Sequence, residues 1–170
     1  LIRSVSTLLL VMIILAGLSM RSVQAQSLLV PMDREQQNHL RAYGLAYWTL
    51  EQEEKAEWLL NYRGGSFLLP DLPAVRREAA YRGVSITGVD APAEARIRAA
   101  IEGANMEAVP LEQAPKVAIY TPPNSTPWDD AVTMVLDYAG IPYETIWDYE
   151  VLEGNLDDYE WIHLHHEDFT

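Results

Sequence analysis

Two rhythms of apolar and polar positions run through this chain. Short apolar runs occur at Leu28-Leu29-Val30, at Trp58-Leu59-Leu60-Asn61-Tyr62, from Val84 to Val89, from Lys116 to Tyr120 and from Ile141 to Trp147. Runs of this length, bounded by Pro, Gly and polar clusters, predict strands. Between them, apolar residues return every three or four positions, which predicts helices. One helix is expected from about Glu35 to Gln52, with Leu40, Tyr43, Gly44 and Tyr47 on a common face. Gly44 costs up to about 1 kcal/mol against alanine in a helix interior, so close packing would explain it. A second helix is expected from Asp71 to Arg82, closed by Gly83. A third opens at Pro92, with Ala93, Ile97, Ala100, Ile101 and Ala104 on one face. A fourth is expected to take Thr126 as its N-cap and Pro127 as its first residue. Trp128, Val132, Val135, Leu136 and Ala139 would form its apolar face, and Gly140 its end.

The segment from Pro115 to Thr170 reads as strand, helix, strand, short helical turn and strand, closing on the polar run His165-His166-Glu167-Asp168-Phe169-Thr170. Strands alternating with helices in this way predict an α/β fold, with flavodoxin-like or Rossmann-like parallel sheets and helices on both faces. Residues 105–115 carry Pro110 and Pro115 and no strong period, so they read either as a linker or as a connection within one sheet. The expected organisation is an N-terminal α/β unit at 26–112 and a second unit at 115–170. The second is expected to be incomplete, a fragment of a larger sheet.

Residues 1–25 stand apart. Arg3, the apolar run Leu8 to Leu18 and the small-residue signature Val23-Gln24-Ala25 form the pattern of a secretory signal peptide. The apolar run is short for a membrane span, which needs about 20 residues. The expectation is a protein exported to the periplasm or the extracellular space, with no stable membrane span after cleavage. Without residues 1–25, ten basic and 25 acidic residues remain, a formal charge of −15. Such a surface repels phosphate backbones and argues against nucleic acid as a partner. There is no cysteine, and therefore no disulfide, thiolate nucleophile or thiolate metal ligand.

In open parallel sheets, ligands bind beyond the carboxyl ends of the strands. Polar groups follow the expected strands at Asp33, at Arg63-Gly64-Gly65-Ser66, at Asn124-Ser125 and at His165-His166-Glu167-Asp168. If these exits share a rim, they face one cleft for a small polar molecule. Arg63 would bind a carboxylate or phosphate, with Gly64 and Gly65 admitting close backbone approach, or the stretch is a plain turn. Asn124 and Ser125 would meet an anion at a helix N-terminus, or serve only as its cap. His165, His166, Glu167 and Asp168 are the candidates for proton transfer or substrate contact. His163 and His165 would share a strand face about 6.6 Å apart. That spacing admits a divalent metal but matches no strong metal signature, so no cofactor is expected. Tyr43, Tyr47, Trp48 and Trp128 at helical spacing read as core rather than as a carbohydrate platform. Oligomeric state is not readable.

Several long segments carry a resemblance: VPMDREQQNHLRAYGLAYWTLE, EWLLNYRGGSFLLP, KVAIYTPPNSTPWDDAVTMVLDYAGIPYETIWDYEVL and DYEWIHLHHEDFT. They resemble an exported bacterial family usually labelled asparagine synthetase B. The resemblance implies a class I glutamine amidotransferase-like, flavodoxin-like α/β fold and chemistry at a carbon–nitrogen bond. The label is not read literally. Glutamine-dependent asparagine synthesis needs an N-terminal cysteine, and this chain has none. The rival reading is a non-catalytic cell-envelope module that binds a polar ligand on the same rim.

Overall fold

The computed structural model describes residues 26–124 and 130–164, so the expected signal peptide lies outside the described residues. Eight strands form two sheets. The first contains β1 (Ser27–Val30), β2 (Ala56–Leu60), β3 (Ser66–Pro70), β4 (Thr87–Val89) and β5 (Glu107–Leu111) in the order β4-β1-β3-β2-β5. The second contains β6 (Val117–Tyr120), β7 (Glu144–Ile146) and β8 (Trp161–Leu164) in the order β7-β6-β8. The helices are α1 (His39–Glu51), α2 (Pro73–Arg82), α3 (Ala91–Glu102), α4 (Ala131–Ala139) and α5 (Asp148–Leu152), with 3-10 turns at Tyr62–Gly64 and Asn155–Asp158. The α/β class expected from the two rhythms is the one found.

The first sheet departs from the expected parallel arrangement. Every pair of neighbours in it is antiparallel. The cause is β3, a strand hidden between a glycine turn and Pro70. The β1–α1–β2 crossover does join two strands that run the same way, but β3 hairpins back from β2 and inserts between them. The hairpin turns within five residues because Asn61, Arg63, Gly64 and Gly65 all take positive φ. Gly64 is required there, since a Cβ would come within 2.4 Å of the Met32 carbonyl oxygen. Residues 107–111, expected only as a connection, form the edge strand β5, where Pro110 costs no ladder bond to a further strand.

Alternation along the strands divides the first core in two. Leu28, Val30, Phe67 and Leu69 face Ala42, Leu45 and Ala46 of α1 and Val75 and Ala79 of α2. Leu29, Leu59, Leu68 and Val89 face Ile97 and Ile101 of α3 on the other side. Both faces are thus covered, as the period-two pattern requires when each side must be dry. Trp48 packs against this core in line with its reading as a structural aromatic, whereas Tyr43 meets Phe67 edge to face at 5.4 Å yet stays exposed, contrary to its reading as core. The buried residues of α1 are Ala42, Gly44, Leu45, Ala46, Thr49 and Leu50, whereas Leu40 and Tyr43 are exposed.

Gly44 explains how the second sheet attaches. A Cβ there would lie 1.8 Å from the Ala139 carbonyl oxygen, so α1 and α4 touch backbone to backbone. The same carbonyl accepts a hydrogen bond from Arg82 Nη1 at 2.7 Å. Tyr47 Oη donates to the Pro115 carbonyl at 2.9 Å, and Asn38 Nδ2 donates to Tyr138 Oη at 2.8 Å. The two helices therefore lie back to back between the two sheets.

The second sheet is parallel throughout, as expected. Val117 and Ile119 on one face pack against Leu136 of α4. The helix carrying the predicted apolar face begins at Ala131 with Asp130 as its N-cap. Thr126, Pro127 and Trp128, expected as its cap and first turn, lie outside the described residues. Its buried residues are Thr133, Leu136 and Ala139, while Val135 is exposed. No helix among the described residues is long and apolar enough to cross a membrane.

Candidate functional site

The strand order β7-β6-β8 puts the first strand of the unit in the middle. Successive connections therefore leave β6 in opposite directions, and the carboxyl ends of β6 and β8 flank the place where a crevice opens in doubly wound sheets. Two described segments reach that edge, the exit of β6 at Thr121 and the end of β8 at His163 and Leu164. Between them lies the N-terminus of α4.

Asp130 is the centre of this edge. Its side chain is buried, and its Oδ1 accepts the Val132 backbone N–H at 2.5 Å, capping α4. Its carbonyl accepts from Thr133 Oγ1 at 2.9 Å. Its Oδ2 stands 3.2 Å from His163 Nε2. A carboxylate is favoured at a helix N-terminus because the unpaired N–H groups there carry partial positive charge. An ionised Asp130 accepts only, so His163 must donate from Nε2, which leaves Nδ1 as the acceptor of the neutral ring. Ser, Cys or Thr nucleophiles are activated by a base oriented in this way, and so is water.

The opposite side of β6 carries a second polar contact. Tyr120 Oη donates to Asp148 Oδ1 at 2.5 Å, and the Tyr120 ring stacks on Trp147 with 4.7 Å between centroids. Thr121, buried next to it, donates its N–H to the Ile146 carbonyl at 3.0 Å and so pins the β6 exit to β7.

The residues expected to bind a ligand in the first unit form a corner closed on itself. Arg63 grips Asp33 through Nε to Oδ2 at 2.7 Å and Nη2 to Oδ1 at 3.2 Å, and Nη2 also donates to Glu35 Oε2 at 2.6 Å. These bonds, with the Glu35 N–H, hold the Asp33 carboxyl below the usual carboxylate range. The Asp33 carboxylate likewise makes the Arg63 guanidinium harder to deprotonate. Gly64 fits against Met32, the Gly65 carbonyl accepts from Trp58 Nε1, and the buried Ser66 hydroxyl donates to the Arg63 carbonyl. The guanidinium fork is filled by carboxylates of its own chain. Arg63 itself has left-handed φ of 47°, a conformation that costs a side-chain-bearing residue about 1–2 kcal/mol and that the carboxylate clamp offsets.

The expected shared rim divides into two. The Asp33–Arg63 corner abuts the first turn of α1, where His39 Nε2 meets the Met32 and Asp33 carbonyls. That turn touches α4 at Tyr138, through Asn38 and through Arg41 over its ring. Asp130 and His163 sit at the other end of α4, and eight residues of helix span about 12 Å. Asn124 lies in an exposed turn, and the α4 N-terminus, expected to receive an anion, is filled by the Asp130 carboxylate. Ser125, His165, His166, Glu167 and Asp168 lie outside the described residues. Among the described residues no cluster of three or more His, Cys, Asp or Glu side chains could hold a metal ion. Among the described residues His163 has one carboxylate beside it, and His165, the other histidine weighed for a metal, lies outside them.

Asp130 was the residue missed. Its signal was an acid two positions before the apolar Val132, with Thr133 three residues on, but Thr126-Pro127 offers an equally good helix start. No family model matches the chain, and neither a curated protein nor a solved structure matches it.

Proposed function

We propose that this chain belongs to an exported α/β protein of the class I glutamine amidotransferase-like kind, in the family usually labelled asparagine synthetase B. In this reading it binds a small polar substrate at the carboxyl edge of its second sheet and acts on a carbon–nitrogen bond. The observation that carries the reading is the buried Asp130 carboxylate directed at His163 Nε2, 3.2 Å away, where β6, β8 and the start of α4 converge. The resemblance of the long segments noted above agrees with it.

In this reading His163 transfers the proton. Asp130 fixes the imidazole so that Nδ1 takes a proton from the attacking group, and the resulting imidazolium returns it to the departing amine. Asp130 is also the α4 cap, so the orienting carboxylate is held on a helix rather than on a loop. These 170 residues contain no cysteine, so a thiolate attacking group does not come from them. His165, His166, Glu167 and Asp168, which follow β8 in sequence, remain the candidates for further substrate contact or proton transfer. In this reading residues 1–25 act as an export signal and the protein works in the periplasm or beyond, supported by the basic, apolar and small-residue pattern of that stretch.

The test is ammonia release by the full-length protein from glutamine, asparagine and other primary amides. His163→Gln is expected to lower kcat about 100-fold or more, the usual contribution of a positioned acid–base group. Unchanged ammonia release by His163→Gln would refute the assignment. Saturable binding of an amide with no turnover would replace it with the rival, a non-catalytic envelope module.

A further inference from the structure

The face of the second sheet away from α4 is thinly covered. Among the described residues, only the five-residue α5 and the 3-10 turn at Asn155–Asp158 lie over it. They leave an open groove of about 480 Å³ lined by Tyr120, Ile146, Val151, Leu156, Ile162 and Leu164. Ile162 and Leu164 share this face because alternate strand residues do, and His163 between them turns toward α4 and Asp130. Leu164 is 60% exposed and Leu152, on the adjoining helix, 86%. Water gains nothing from so many apolar side chains, and such a surface on a folded protein marks a place where something binds.

The charge around the groove says what that something is. From Val117 to Thr170 the chain holds twelve acidic residues and no lysine or arginine. Glu153 follows α5, and Asp157 and Asp158 follow Leu156 on the 3-10 turn. All three are exposed, and none of their side chains forms an ion pair or a hydrogen bond among the described residues. The nearest cation in sequence, Lys116, already lies against Glu144 and the Tyr159 ring. An apolar trough with an unneutralised acidic rim is the complement of a basic amphipathic helix. The apolar stripe of such a helix would fill the trough, and its lysines and arginines would meet the rim.

We infer that this groove docks a basic amphipathic helix of a partner protein. The groove lies on the face of β8 opposite His163, so Leu164→Asp and His163→Gln test the two assignments separately. An acidic rim disfavours an anionic lipid surface, and a second copy of this chain would bring like charge against like.

The experiment uses the full chain and a fluorescent Leu/Lys peptide of about 18 residues, five helical turns, read by anisotropy. Binding in the micromolar range is expected. Raising salt from about 0.05 to 0.5 M should weaken it, since screening reaches the rim charges. Leu164→Asp should weaken it about 30-fold, as the loss of a central apolar anchor does. Because Leu164 is exposed, that variant should fold. A second variant, with Glu153, Asp157 and Asp158 all changed to Lys, removes the rim without touching the trough and should weaken binding at least as much. Absence of binding would overturn the inference, as would equal binding of a Leu/Glu peptide. So would self-association of the protein that Leu164→Asp abolishes.

Discussion

The two sheets of this chain are built on opposite plans. The first is antiparallel, has helices on both faces, and pairs four of its arginines with its own acids. Arg63 holds Asp33 and Glu35, Arg76 holds Asp71, Arg82 holds Glu78, and Arg98 holds Glu57 and Glu94. The second is parallel, is packed firmly on its α4 face alone, and has no basic residue after Lys116 to neutralise its acids. Exposed ion pairs contribute about 0–1 kcal/mol each, so the contrast is not mainly one of stability. The first sheet ties up the polar groups of its Arg63 corner within the fold and leaves them little to offer a ligand. The second leaves a carboxylate–imidazole pair on one face and an apolar trough on the other. The lesson concerns where to look for chemistry. Arg63 with two glycines is the more eye-catching motif in the sequence, yet its Nε and Nη2 are held by carboxylates within the fold.

The contrast can be broken first by truncating equivalent apolar residues. Leu28, fully buried in the first core, should lose about 3–4 kcal/mol on change to Ala, because the cavity cannot refill. Leu164→Ala in the second sheet should lose less than about 1 kcal/mol. Urea unfolding of both variants measures the difference, and equal losses would mean the trough is filled in solution. The next largest effect is at the junction. Gly44→Ala forces a methyl group into the Ala139 carbonyl and should cost about 3 kcal/mol, with α4 and the second sheet released ahead of the first. Hydrogen exchange should show β6–β8 losing protection before β1–β3. Uniform loss would show that the sheets unfold as one.

The smallest effect sharpens the closed corner. The Asp33 carboxyl has its pKa depressed in the folded chain by Arg63, so the stabilisation is complete above the unfolded value of about 3.9 and is lost as pH falls through the folded one. Acid unfolding of the wild type should therefore gain a component below about pH 4 that Asp33→Asn lacks. Identical acid limbs would remove Arg63 as its partner.

Much of this architecture was legible beforehand. The α/β class, the strand–helix–strand order after Pro115, the parallel second sheet and the tight packing at Gly44 all follow from local pattern. What was not legible follows from non-local geometry. Ser66–Pro70 reads as a loop because a glycine turn and a proline bound it, and its insertion between β1 and β2 reverses the expected direction of every pair in that sheet. The α1 faces were confused because that helix is buried on two sides, by the first sheet and by α4, which blurs a single apolar stripe. Asp33 and Arg63 are thirty residues apart, and nothing in the spacing says that each is the other's partner. Asp130 and His163 are likewise joined only by the fold.

The most direct test of the account is the protonation of the His163 ring, read from nitrogen-15 imidazole signals of the full chain at about pH 8, above the ordinary histidine range. The account predicts a neutral ring protonated on Nε2 and bare on Nδ1, with the preference lost in Asp130→Ala. A ring protonated on Nδ1, unchanged by Asp130→Ala, would contradict it.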